Sequence, residues 1–93
     1  MEYSRDEIKE ILKKKVIIER LELEEVTPSD IADDENLFDK NGLALDSVEA
    51  LDIVTGISEV FEIDTSKISQ EDLNKGFHTI NQITDYIVEE ENN

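Results

Sequence analysis

The residues with the clearest chemical potential lie near the middle of the chain, in the segment 43–48, which reads Leu-Ala-Leu-Asp-Ser-Val. Asp46 and Glu49 have the three-residue spacing of a capping box, in which each side chain accepts a hydrogen bond from the backbone amide of the other. This spacing predicts a helix whose first residue is Ser47. A phosphate ester on that hydroxyl would lie in the favourable field of a helix N-terminus. The alternative is that Ser47 is only a cap, because serine is one of the commonest cap residues.

Two further segments accompany this motif. Residues 36–38 read Asn-Leu-Phe ahead of it, and residues 77–80 read Phe-His-Thr-Ile before the last predicted helix. Together with residues 43–48 they resemble the acyl carrier protein family, whose attachment motif is Leu-Gly-x-Asp-Ser-Leu followed by an acidic amphipathic helix. The similarity runs from about Ile8 to Val88.

The resemblance implies a role for the serine and its neighbour. In that family the serine carries covalent 4′-phosphopantetheine from coenzyme A, and the thiol of this group bears the cargo as a thioester. Ser47 is then the attachment residue of a phosphoprotein, and Asp46 adjoins the cofactor. Ala44 replaces the usual glycine and Val48 the usual leucine. These departures leave room for a specialised lipid or polyketide-type pathway, or for an aminoacyl or peptidyl cargo, beside fatty acid biosynthesis.

The composition is strongly acidic. The 93 residues, enough for a single domain over 1–93, hold 25 Asp and Glu against 9 Lys and Arg, which gives a net charge of −16. Such a field repels nucleic acid and attracts partners with basic surfaces. The alternative is that the acidity serves only solubility. Self-repulsion also predicts that added salt stabilises the fold.

The cysteine content and the distribution of apolar residues further restrict the class of protein. There is no cysteine, so any thiol chemistry needs a sulfur supplied by a prosthetic group. The first residues lack the apolar run of a signal peptide, and no apolar stretch is long enough to span a bilayer. We therefore expect a cytoplasmic monomer that binds neither membrane nor nucleic acid.

The periodicity predicts an all-α bundle with three main helices, one short helix and a long loop between the first two, and the resemblance implies that this is an acyl-carrier-like four-helix bundle. Ser4 with Glu7, and Thr79 with Gln82, have capping-box spacing at two helix starts. The predicted helices cover about 4–21, 47–61, 69–75 and 79–90, with a frayed tail over 91–93.

The first helix combines an apolar face with the lysine run 13–15. The lysines could suggest an anion site, but we interpret them as an exposed flank whose charges meet Glu10, Glu19 and the acidic remainder of the chain. The residues expected to face the core are Ile8, Ile11, Leu12, Val16 and one of Ile17 and Ile18.

The acidic loop after this helix could suggest a calcium site. Placing Gly42 at the sixth position of an EF-hand loop puts Leu37 at the first and Val48 at the twelfth, so both essential ligand positions fail. We predict no metal ligands; any weak cation site there would be structural. The function of the loop is to deliver Ser47 to the surface.

The second helix divides into an inner and an outer face at 100° per residue. The inner face is predicted to comprise Ala50, Leu51, Val54, Ile57, Ser58 and Phe61. The outer face would be a docking strip for a phosphopantetheinyl transferase and for acyl-loading and acyl-processing enzymes with basic surfaces, or else an ordinary exposed face. Gly56 is explained there either by close approach of a partner backbone or by an unoptimised position. The candidate partner-binding residues are Val48, Glu49, Asp52, Thr55, Gly56 and Glu59.

No catalytic constellation can be assembled from the sequence. The single histidine, His78, has no nucleophile or metal-ligand partner at a meaningful spacing, which favours a surface or loop role. The sequence therefore predicts a non-enzymatic carrier. An acidic adaptor without a prosthetic group is the second interpretation, and an enzyme is a distant third.

Overall fold

The computed structural model describes residues 3–39, 43–69, 71 and 77–91. The described residues form three helices and no strand, so the predicted all-α class is confirmed for them. The short helix predicted over 69–75, and with it the fourth helix of the bundle, lies outside the described residues except at Ser69 and Glu71. The elements are α1 (Arg5–Ile11), a π-helical segment (Leu12–Glu19), a 3-10 turn (Pro28–Asp30), α2 (Ser47–Phe61) and α3 (Ile80–Glu91).

The first helix consists of α1 and the π-helical segment that continues it. It starts at the predicted capping box, in which the Ser4 hydroxyl accepts the Glu7 amide at 3.2 Å and the Glu7 carboxylate accepts the Ser4 amide at 3.0 Å. The hydrogen bonds from the Ser4 amide and then from its hydroxyl hold the pKa of Glu7 below its ordinary value of 4.5. The chain leaves the helix at Glu22, whose φ of 56° lies in the left-handed region.

The core is almost entirely aliphatic. Each helix buries one stripe at helical spacing, and the loops add four side chains. Thr84 is the only buried polar side chain among the described residues, and its hydroxyl has no hydrogen-bond partner, which costs stability. The buried apolar residues are Ile8, Leu12, Val16, Ile17, Ile31, Leu37, Leu45, Ile53, Ile57, Phe61, Phe77, Ile80, Ile83 and Ile87.

The first helix is joined to its neighbours by ion pairs. Arg5 pairs with Asp85 on α3 at 2.7 Å. Lys9 and Lys13 both pair with Asp33 in the loop, at 3.1 and 2.7 Å. Of the predicted lysine run, Lys14 and Lys15 are exposed as expected, whereas Lys13 is largely buried and pairs with an acid of the loop. No ion pair among the described residues joins this run to Glu10 or Glu19.

Candidate functional site: the start and outer face of α2

The helix α2 begins where the sequence predicts. The Asp46 carboxylate accepts the Glu49 amide at 2.9 Å, and the Glu49 carboxylate accepts the Asp46 amide at 3.1 Å. The predicted capping box is therefore present, and Ser47 is the first residue of α2. The box engages two of the amides at this helix end and leaves those of Ser47 and Val48 outside it.

The loop that leads to Ser47 is fastened to α3. The Leu37 amide donates to the His78 carbonyl at 2.7 Å, and the Leu45 amide donates to the Leu37 carbonyl at 3.0 Å. Further back, the Asn81 amide of α3 donates to the Asp33 carbonyl at 2.9 Å. Because Leu45 is also buried, the backbone is held two residues ahead of α2.

Ala44 takes a left-handed conformation in this loop, with φ of 53°. An alanine there carries a steric cost of about 1 kcal/mol that a glycine would not. The Ala44 amide donates to the Asp39 carbonyl at 3.1 Å. The loop therefore keeps a glycine-like turn despite the substitution noted in the motif.

The Ser47 side chain lies outside what the structure describes, so the prediction that its hydroxyl points outward stays a prediction. The surroundings suit a phosphodiester. The first turn of a helix offers amides to an anion, and the neighbouring Asp46 carboxylate accepts a hydrogen bond from the Glu49 amide.

The outer face of α2 exposes two apolar side chains in addition to its acids. Val48 is 66% exposed and Leu51 is 54% exposed. Asp52 and Thr55 are exposed beside them. The face next to Ser47 is therefore an apolar patch with an acidic border.

Leu51 corrects the prediction for the inner face. It was expected in the core with Ala50 and Ser58, yet it is exposed and the other two are only half-buried. The buried stripe is instead centred on Ile53 and Ile57. The side of α2 that carries Ile53 and Ile57 faces the core, because the first helix packs against α2 on that side.

The position of Gly56 also differs from the prediction for the outer face. It is buried rather than exposed on the outer face, so neither explanation offered from the sequence holds. A Cβ at this position would lie 2.8 Å from Arg20 Cδ and 3.1 Å from Val16 Cγ1. The close approach that requires glycine is made by the first helix of the same chain. We therefore remove Gly56 from the partner-binding residues.

Glu59 remains on the outer face but has a partner within the chain. Its carboxylate accepts a hydrogen bond from Arg20 Nη1 at 2.8 Å. Glu49 is half-buried and engaged in the capping box. The described acid with the fewest internal commitments on this face is thus Asp52.

The acidic side chains and His78 bear on two other kinds of site, a metal site and a histidine-based catalytic site. Within the described ranges, no three His, Cys, Asp or Glu side chains converge where a metal ion could bind. His78 lies in the loop before α3, half-buried, with its ring edge-on to Phe38 at 5.9 Å between centroids. The Thr79 hydroxyl accepts the Gln82 amide as predicted, but the Gln82 side chain accepts the amide of His78 rather than that of Thr79.

Sequence reasoning missed Leu51, Arg20 and the pairing of Asp33 with two lysines. Only Leu51 left a signal, since it lies three residues after Val48 and so beside it on a helix. The ion pairs depend on how separate elements pack, which local spacing does not reveal.

Comparison with known proteins agrees with this geometry. A family model described as a phosphopantetheine attachment site matches residues 6–87. No curated protein matches the chain. None of the described helices combines the length and apolar character needed to cross a membrane. Because the matched region covers nearly all of the chain, including the capped start of α2, the protein belongs to the phosphopantetheine attachment family, whose carrier domain is the site of covalent 4′-phosphopantetheine attachment.

Proposed function

We propose that Ser47 carries the 4′-phosphopantetheine group and that the protein carries acyl intermediates on it, in fatty acid or specialised lipid or polyketide-type biosynthesis. The observation that supports this most directly is the position of Ser47 as the first residue of a capped helix. When bound, the group supplies a thiol that holds cargo as a thioester, which this cysteine-free chain cannot supply itself. The chain contributes attachment and orientation, and its partner enzymes contribute the catalysis.

The residues before Ser47 act as positioning residues. Leu45 is buried in the core and Asp46 closes the helix end, so the backbone of the attachment residue is fixed on its N-terminal side. The backbone bonds from Leu37 to His78 and from Leu45 to Leu37 extend this support to the loop just before α3. A transferase would therefore meet a preformed helix end rather than a flexible loop.

The character of the core supports an acyl cargo. Ile53 and Ile57 of α2 lie in an aliphatic cluster with side chains of α3 such as Ile83. These side chains are packed against one another, so an alkyl chain would have to enter between them, where its burial would gain free energy and that of a charged aminoacyl group would not. An aminoacyl or peptidyl cargo is the alternative.

The outer face of α2 is the proposed docking surface for these partners. Val48 and Leu51 supply apolar contact area, and Asp52 supplies unpaired charge. Thr55 and Glu59 extend the surface along the helix, with Glu49 at its start. We expect association with basic partner surfaces to be fast and to weaken as salt is added.

Intact mass tests the attachment. The purified protein is incubated with coenzyme A and a phosphopantetheinyl transferase of broad specificity. We expect wild type and the Ser66→Ala control, which removes an exposed serine elsewhere in the chain, to gain one phosphopantetheine. We expect Ser47→Ala to gain none while its helical circular dichroism persists. Absence of any gain in wild type would contradict the proposal and favour the adaptor interpretation.

Thermal unfolding of loaded protein tests the cargo. The same transferase is used to attach either an octanoyl or an aminoacyl form of the group. A higher unfolding temperature with the octanoyl form than with the unacylated form is expected, because a chain that binds only the folded state stabilises it. Stabilisation by the aminoacyl form alone would favour the alternative cargo.

A further inference from the structure

A groove lies at the end of the first helix, away from the residues discussed above. It is a shallow, largely open depression with a volume of about 390 Å³. Its apolar lining residues are half-buried, and its glutamates are exposed. The lining residues are Ile18, Leu23, Val26, Glu19, Glu22 and Glu24.

The groove is preformed by the way the first helix ends. The Leu23 amide donates to the Ile18 carbonyl at 2.9 Å, and the Glu22 amide donates to the Glu19 carbonyl at 3.3 Å. This is the Schellman pattern, which brings the side chains before and after the left-handed residue together. The two apolar residues of this pattern, Ile18 and Leu23, both line the groove with Val26, whose amide donates to the Leu23 carbonyl at 3.4 Å.

The charge of the groove is not compensated from within the described part of the chain. No ion pair is formed there by Glu19, Glu22 or Glu24. The nearest cation in sequence, Arg20, directs its guanidinium to Glu59 on α2 instead. An occupant must therefore bring positive charge, which excludes phosphates and nucleic acid. A second copy of the chain is also disfavoured, since each copy carries a net charge of −16.

We propose that this groove docks a segment of a partner protein that presents an aliphatic or aromatic side chain flanked by lysine or arginine. The apolar side chain would contact Ile18, Leu23 and Val26, and the flanking cations would pair with the glutamates. The Arg20–Glu59 ion pair connects this surface with the outer face of α2, so one basic partner could contact both. The groove does not involve Ser47, and docking there does not depend on the attached group.

Amide chemical shifts of the ¹⁵N-labelled protein test the proposal. The probe is the blocked peptide Lys-Leu-Lys-Leu-Lys, with Lys-Ser-Lys-Ser-Lys and Glu-Leu-Glu-Leu-Glu as controls. We expect shift changes centred on residues 18–26 for the probe, weaker binding of the serine peptide and no binding of the acidic peptide. Changes centred on α2, or spread evenly over all acidic segments, would overturn the proposal.

Matched variants separate the groove from general attraction to an acidic protein. We expect the double variant Glu22→Gln and Glu24→Gln to weaken probe binding by about fivefold, from the loss of two exposed charge pairs. The control pair Glu10→Gln and Glu89→Gln removes the same charge elsewhere and should change binding by less than about twofold. Equal weakening by both pairs would contradict the proposal. Ser47→Ala should bind the probe as wild type does, so failure of the attachment proposal would leave this result unchanged.

Discussion

The first helix and α2 use charge in opposite ways. The first helix region holds six of the nine cations of the chain, and four of them are paired with acids on other elements. On α2 the outward acids have one such partner, at Glu59. These pairs are partly exposed, so each contributes at most about 1 kcal/mol, and their main effect is to align the elements. The cations of the first helix thus offset part of the negative charge of an acidic protein.

The two helices also differ in what they leave exposed. The first helix meets α2 directly at Gly56, and among the described residues no large apolar side chain of the first helix is exposed, although its lysines Lys14 and Lys15 are. On α2, Val48 and Leu51 are more than half exposed. The apolar side chains that α2 leaves exposed, Val48 and Leu51, therefore distinguish it from the first helix as a surface available to partners.

The largest expected effect contrasts two apolar residues of α2. Ile57→Ala should lower the free energy of unfolding by about 3 kcal/mol, because a fully buried side chain is lost and a cavity is left. Leu51→Ala, at an exposed position on the same helix, should change it by less than about 0.5 kcal/mol. Urea unfolding followed by circular dichroism measures both.

Leu51→Ala should nevertheless lower the kcat/KM of the transferase by about fivefold, as expected for truncation of an interface residue. A large loss of stability in Leu51→Ala would show that this side chain belongs to the core after all.

Gly56→Ala tests the contact between the two helices. The gain in helix propensity of about 1 kcal/mol should be exceeded by overpacking against Arg20 and Val16, for a net loss of about 1.5 kcal/mol. In an Arg20→Ala background the same substitution should cost at least about 0.5 kcal/mol less, because the nearer contact is gone. Equal costs in both backgrounds would mean that Arg20 does not restrict this position.

Asp33→Asn tests the ion pairs of the first helix. Hydrogen bonds from Lys13 and then Lys9 hold the pKa of Asp33 below its ordinary value of 3.8. Its contribution is therefore fully present above pH 3.8 and is lost as the pH falls through the lower folded pKa. At pH 7 we expect a loss of about 1 kcal/mol, since the carboxylate is partly exposed.

The neighbouring Asp34 is exposed and provides the control. Asp34→Asn should leave the unfolding free energy unchanged within about 0.5 kcal/mol. The difference in unfolding free energy between Asp33→Asn and wild type should disappear in acid. A difference that persists unchanged in acid would assign the effect to packing rather than to charge.

The smallest expected effect concerns the loop between the two helices. Ala44→Gly should stabilise the protein by about 0.5 kcal/mol, because relief of the left-handed conformation exceeds the added chain entropy. Ala32→Gly is the control, since φ of Ala32 is not positive, and should destabilise by a similar amount. The same sign for both substitutions in thermal unfolding would contradict the strain assigned to Ala44.

The features that sequence could predict are those decided within a few residues. The capping boxes at Ser4 and Asp46 depend on three-residue spacing and were found in the structure. The side of α2 that is buried depends on where another helix contacts it, so the burial of Gly56 could not be predicted from periodicity, and the three-residue spacing from Val48 was the only local sign that Leu51 is exposed. The pairing of Asp33 with Lys9 and Lys13 joins residues that are 24 and 20 positions apart and has no local signature.

Fragmentation of the modified protein in a mass spectrometer tests the proposed attachment most directly. The chain offers six serines as possible sites, so a gain in mass alone does not identify the residue. We predict that after incubation with coenzyme A and the transferase the phosphopantetheine lies on Ser47 alone. Location of the group on any other serine, with Ser47 unmodified, would contradict the proposal.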